Sequence, residues 1–197
     1  MLEVHDYRPP DMTTHMTLTQ QVFSPQTPIV LVGLMGAGKT TIGRRLASEL
    51  EIEFIDSDQE IVEAAGCAIS DIFEIYGEPV FRDLEKKVIT RLLKKTRCVI
   101  ATGGGVYVNP ALRDMIQSKA LSIWLKADLD VLLERVSRRD SRPLLKQGDK
   151  KEIMEKLMHE RYPVYAEADI TVESDFGAHE KVVHAVVEAI KVWEQET

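Results

Sequence analysis

Gly33-Leu34-Met35-Gly36-Ala37-Gly38-Lys39-Thr40 stands directly after the apolar run Ile29 to Val32 and directly before an amphipathic stretch beginning at Lys39. The pattern G-x-x-x-x-G-K-[ST] in a strand-to-helix context constrains this chain more than any other feature. Glycines let the backbone wind around an anion so that N–H groups point inward without Cβ clashes. The positive end of the following helix adds to that field. A lysine at position 39 reaches a transferring phosphate, and the Thr40 hydroxyl is placed to ligate a Mg2+ ion that bridges the phosphates.

A phosphate cradle of this type sits in a parallel sheet covered by helices, and the rest of the sequence reads that way. Short apolar runs predict strands near Ile29 to Val32, Glu53 to Ile55, Cys98 to Ala101, Leu121 to Leu125 and Ile170 to Val172. Amphipathic stretches predict helices near Lys39 to Leu50, Asp58 to Ala65, Ser70 to Tyr76, Pro79 to Lys94, Pro110 to Ser118, Leu129 to Arg138, Lys151 to Ala166 and His179 to Glu194. Pro79 suits a first helical position. Right-handed crossovers then give a doubly wound α/β sheet with ligands at the carboxyl ends of its strands.

The 197 residues fit one domain from residue 27 to the end, preceded by a polar, aperiodic tail over residues 1–26 that is expected to be flexible. Residues 140–150, with Pro143, Gly148 and several basic side chains, read as an exposed loop between two helices. A net charge of −7 argues against nucleic-acid and membrane partners, which require a basic surface. No apolar run is long enough to span a bilayer and the first 20 residues lack a hydrophobic stretch, so the expected address is cytoplasmic. Cys67 and Cys98 show no metal-ligand spacing and are expected to be buried thiols.

Five further motifs narrow the chemistry. Asp56-Ser57-Asp58 closes the second strand, where two carboxylates share one side if the strand continues; the plainer reading is a turn with Asp58 capping the next helix. Phe81-Arg82-x-x-Glu85 places Arg82 and Glu85 on one helix face, as in many surface ion pairs. Gly103-Gly104-Gly105 follows the third strand, where glycines mark close approach of a ligand or simply a flexible loop. Arg142-Pro143-Leu144-Leu145 follows Arg135, Arg138 and Arg139, a cluster that by composition alone is a solvated helix end. Arg161-x-x-x-Tyr165-x-Glu167 lies on the helix before the last strand.

In this order and at these spacings the motifs resemble shikimate kinase, and the likeness runs from about Ile29 to Val187. The resemblance implies a nucleoside-monophosphate-kinase-like P-loop fold with a five-stranded parallel sheet and a mobile lid at about residues 140–150. It implies ATP-dependent phosphorylation of a shikimate hydroxyl, giving shikimate 3-phosphate and ADP on the route to chorismate and aromatic amino acids. Gly36, Ala37, Gly38, Lys39, Thr40 and Thr41 would hold the ATP phosphates, with Thr40 ligating Mg2+ directly and Asp56 through water. Asp58 would bind the acceptor hydroxyls and serve as the base.

By the same resemblance, Arg82 and Arg161 would grip the acceptor carboxylate, Gly103, Gly104 and Gly105 would approach its ring hydroxyls, and Phe73 and Phe81 would line its pocket. Arg142 in the lid would descend on the phosphates, and Arg138 would stack near adenine. The chain would act as a monomer on ATP and shikimate. Lys39-Thr40-Thr41 stands where Lys-Ser-Thr is commoner in the family, and residues 173–178, the expected adenine loop, offer no residue to carry over.

Two competing readings remain at this level. Another small-molecule kinase of the same fold, such as a gluconate kinase, is disfavoured by Arg82 with Arg161 and by the triple glycine. A regulatory nucleotide-binding module is disfavoured by the joint presence of Lys39, Thr40, Asp58 and Arg142.

Overall fold

The computed structural model describes residues 26–137 and 149–196. The expected tail up to residue 25 and most of the expected lid, with Arg138 and Arg142, therefore lie outside the described residues. In chain order the elements are β1 Ile29–Val32, α1 Lys39–Glu49, β2 Glu53–Asp56, α2 Ser57–Ala65, α3 Ile69–Asp71, a π-helical turn Ile72–Tyr76, and α4 Gly77–Leu92. They continue as β3 Cys98–Ala101, α5 Pro110–Lys119, β4 Leu121–Lys126, α6 Leu129–Ser137, α7 Lys150–Tyr165, β5 Ile170–Glu173 and α8 His179–Glu196.

The five strands form one parallel sheet in the order β2-β3-β1-β4-β5. Every residue of β1 and of β3 is buried, because helices cover both faces at the centre of the sheet. The edge strand β5 instead alternates buried and exposed residues, as a strand covered on one face should. From β1 the chain runs to β2 and β3 on one side and later to β4 and β5 on the other, so the order reverses beside β1. Ligands of open α/β sheets bind at the carboxyl end of such a point.

Helix α1 lies unusually close to the sheet through Gly43, where a Cβ would come within 2.6 Å of the Phe54 ring and 3.1 Å of Leu31. That close seat fixes the glycine loop between β1 and α1 over the sheet. Among the described residues no helix is long and apolar enough to cross a membrane.

Several local expectations change. Strand β2 ends at Asp56 and α2 begins at Ser57, so strand alternation does not orient Asp58. The cap of α2 is Asp56, whose Oδ1 accepts the Asp58 N–H at 3.1 Å, and not Asp58. The single helix expected from Ser70 to Tyr76 is a short α-turn followed by the π turn, and α4 begins at Gly77, which makes Pro79 its third residue. Residues 149 and 150 belong to the start of α7, where the Asp149 side chain accepts the Lys151 N–H at 2.8 Å. Cys98 is buried, its thiol pushed up to about 11 by that burial, whereas Cys67 is only partly covered.

Candidate active site

Gly36 and Gly38 adopt φ values of 86° and 97°, a left-handed conformation that side-chain-bearing residues resist. Gly38 caps α1 without any side-chain hydrogen bond, which leaves the first amides of the helix directed at the cleft above them. Lys39 curls back over the loop, and its Nζ donates to the carbonyls of Gly33 at 2.7 Å and Leu34 at 2.9 Å. The ammonium therefore braces the loop as well as charging it.

The cleft has a volume of about 310 Å3 and is lined by Gly36, Gly38, Lys39, Thr40 and Thr41 from the glycine loop, by Asp56 and Asp58, and by Thr102, Gly103 and Gly104. Three separate chain segments thus meet where the sequence motifs placed them. The Thr40 hydroxyl donates to Asp56 Oδ2 at 3.0 Å. A hydroxyl beside a half-buried carboxylate is a pair of hard oxygen donors of the kind that Mg2+ accepts. Among the described residues there is no group of three or more His, Cys, Asp or Glu side chains arranged for a metal. An ion held by Thr40 and Asp56 would accordingly take its remaining ligands from phosphate and water.

Asp58 is exposed at the start of α2, with its carboxylate against the triple-glycine loop. A Cβ on Gly103 would stand 2.8 Å from Asp58 Oδ1, and one on Gly105 would stand 2.8 Å from Arg82 Nη1. Neither glycine has a positive φ. What favours glycine there is the nearness of the Asp58 and Arg82 side chains, and not backbone conformation. Gly103→Ala is expected to fold with a melting temperature within a few degrees of wild type, because the displaced atom ends a side chain. Its turnover should fall by about tenfold or more, since displacing the Asp58 carboxylate disturbs the geometry of the cleft in which a substrate must be aligned. Thermal melting alongside steady-state kinetics checks both halves.

Arg82 is not the surface ion pair that its spacing suggests. Its Nη1 donates to Glu85 Oε2 at 2.9 Å, and Glu85 is only 2% exposed, while Nη2 reaches Glu78 at the same distance. Burial raises the Glu85 carboxyl above its ordinary range and the charges of Asp58 and Glu78 push the same way, against the Arg82 guanidinium. Glu85 thus holds Arg82 beside the triple-glycine loop from within the protein. Phe81 is buried in the core and its ring stacks 4.5 Å from that of Phe73.

Arg161 arrives from α7, and its Nη1 donates to the Gly104 carbonyl at 3.2 Å. The same oxygen accepts from the Tyr165 hydroxyl. Tyr165 is fully buried and its phenol is pushed up to about 12 by that burial, so it stays a proton donor near neutrality. The middle glycine is therefore pinned from below by both polar ends of the Arg-x-x-x-Tyr motif.

Three residues join the site without having been singled out. Arg135, taken from composition as part of a solvated helix end, turns inward: its Nη1 lies 3.3 Å from the Gly36 carbonyl and 3.0 Å from Ser174 Oγ. Ser174 falls in the stretch where no residue could be assigned, yet it is buried and donates to the Ala37 carbonyl at 2.9 Å. His179, the first residue of α8, lines the cleft beside the glycine loop. The buried serine carried no sequence signal; Arg135 carried only its place in a basic cluster.

Comparison with known proteins agrees with this geometry. The family model described as shikimate kinase matches residues 35–191. A shikimate kinase of Paramagnetospirillum magneticum is 54% identical over 162 residues, covering 82% of this chain and 83% of that protein. The solved structure of shikimate kinase from Acinetobacter baumannii in complex with shikimate superposes with a TM-score of 0.83 at 36% identity, over 87% of this chain and 97% of that one. A gluconokinase from Sinorhizobium meliloti reaches a TM-score of 0.53 at 14% identity, over 88% of this chain and 98% of that one, a likeness of fold alone.

Proposed function

The chain belongs to the shikimate kinase family, and on that premise we propose how its own residues carry the family's reaction, transfer of a phosphoryl group from ATP to a hydroxyl of shikimate. The products are ADP and shikimate 3-phosphate. The observation that carries the assignment of roles is the convergence of Asp58, the triple glycine and the glycine loop with Lys39 on one cleft.

Gly36 to Thr41 bind the ATP phosphates through loop and helix amides, and Lys39 swings from its carbonyl partners to the transferring group. Thr40 would hold Mg2+ directly and Asp56 through water, and the ion would neutralise phosphate charge. Asp58 accepts a hydrogen bond from the acceptor hydroxyl and takes its proton as the new P–O bond forms. Arg82 and Arg161 grip the acceptor carboxylate with planar guanidinium forks, and Gly103, Gly104 and Gly105 allow the ring to approach the backbone. Arg142 descends on the phosphates and Arg138 meets adenine by the family resemblance, both outside the described residues. Every assigned residue comes from one chain, so a monomer suffices, and a cytoplasmic address belongs to the same proposal.

The grip on the acceptor is tested by Arg82→Lys and Arg161→Lys. Each converts a bidentate fork to a point charge, so each should raise the KM for shikimate far more than the KM for ATP. Steady-state kinetics with either substrate varied makes the comparison. Equal effects on both would place these arginines in the fold or at the nucleotide instead.

A further inference from the structure

The outer turn of the glycine loop is held from behind by residues that come from far along the chain. Ser174, immediately after β5, is 2% exposed, and its backbone N–H donates to the Lys126 carbonyl at the end of β4. Its Oγ donates to the Ala37 carbonyl at 2.9 Å and accepts from Arg135 Nη1 at 3.0 Å. Arg135 Nη1 also reaches the Gly36 and Ala37 carbonyls at 3.3 and 3.4 Å, and its Nη2 donates to the Asp175 carbonyl. One buried hydroxyl thus ties the end of β5, helix α6 and the glycine loop together.

The direction of these bonds matters more than their number. A peptide unit is planar and trans, so a carbonyl and the N–H of the next residue point to opposite sides. With the Ala37 carbonyl turned onto Ser174, the Gly38 N–H is turned away from it, toward the cleft that Gly38 lines. That N–H has its φ of 97° at the head of α1, where amides meet an anion. A Cβ on Gly38 would find Ser174 Oγ at 3.8 Å and Arg135 Nη1 at 3.6 Å, so the clamp stands at contact distance behind the loop.

We propose that Ser174 is a positioning residue for the nucleotide: by holding the Ala37 carbonyl it sets the Ala37–Gly38 peptide so that the Gly38 N–H is presented to the phosphates, with Arg135 completing the clamp. The inference rests on the reading of residues 36–41 as the ATP site. It makes Ser174 act through the loop and not by contact with either substrate. Its loss should therefore be felt by ATP and not by the acceptor, whose contacts come from α2, α4, α7 and the triple glycine.

The test compares Ser174→Ala, Ser174→Cys and Ser174→Thr with wild type, each melted to establish folding and then assayed with MgATP and shikimate varied in turn. Losing one buried hydrogen bond that orders a phosphate-binding amide should raise the KM for ATP about tenfold in the alanine variant, with the shikimate KM within about twofold of wild type. Cysteine keeps the volume but donates poorly, so it should give the same split and serves if the alanine variant does not fold. Threonine retains the hydroxyl and should restore the ATP KM to within about threefold of wild type, a rescue that bulk alone does not predict. A folded alanine or cysteine variant whose ATP KM stays within about twofold of wild type overturns the proposal. Lys39→Met run beside them separates the two layers: if it is inactive while Ser174→Ala is unchanged, only the Ser174 role fails, and if both keep wild-type rates the ATP site itself is misassigned.

Discussion

Replacing Asp58 by asparagine is expected to lower turnover by about a hundredfold or more while leaving the melting temperature close to wild type, the range lost with a positioned general base. The structure sharpens the reason for the second half. The cap of α2 is the Asp56 carboxylate, so an amide at position 58 removes no capping bond. Asparagine keeps the size of the side chain and a hydrogen bond to a hydroxyl, but it cannot take a proton as the acceptor oxygen becomes nucleophilic. The KM for ATP should stay near wild type, because the proposal gives the phosphates to the glycine loop and not to Asp58. An Asp58→Asn enzyme that keeps most of its turnover would reduce the residue to a binding group and leave the base to be sought elsewhere.

The second large effect belongs to Lys39. Lys39→Met should lose more than about nine-tenths of its turnover, because a fixed charge at the transferring group acts mainly on the transition state. In the structure the ammonium also satisfies the Gly33 and Leu34 carbonyls, both residues being buried. Removing that donor should cost about 1–2 kcal/mol, the usual penalty for under-satisfied buried acceptors. For a domain of this size that corresponds to a melting temperature lower by about 2–8 °C. Circular dichroism on heating, next to single-turnover kinetics, separates the two contributions. Retention of most activity in a destabilised protein would make Lys39 a brace and not a catalytic charge.

What could be read from the sequence follows from where the information is local. The glycine loop between β1 and α1 is written in consecutive residues, and its left-handed turns at Gly36 and Gly38 follow from the glycines themselves. The parallel sheet was legible because the central strands are buried on both faces and hence apolar without interruption, as in Ile29 to Val32 and Cys98 to Ala101. The positions of Asp56, Asp58, Arg82, Gly103 to Gly105 and Arg161 followed from their motifs, and the structure gathers them around one cleft and the loop beside it.

The parts that escaped depend on what packs against a residue, which no periodicity reports. Arg82 and Glu85 look like any i, i+3 surface pair, and only the packing of α4 against α2 and the π turn, beside Gly103, buries Glu85. Asp58 was placed on the right side for an incomplete reason: the chain leaves β2 at Asp56 and the first turn of α2, not strand alternation, carries it to the cleft. Arg135 sits in a basic run that composition assigns to solvent, yet the nearby glycine loop supplies carbonyls that draw it inward. Ser174 is one hydroxyl in a short loop, and its importance appears only when β5 is laid beside β4 and the glycine loop.

The account stands most directly on the identity of the acceptor. ADP release from MgATP should be measured with shikimate, quinate, gluconate and a set of nucleoside monophosphates offered separately at equal concentration. Acceleration by shikimate alone, with one phosphate appearing on the acceptor for each ADP formed, is the predicted result. Equal or greater acceleration by gluconate or by a nucleoside monophosphate, or ADP release indifferent to every acceptor, would contradict it.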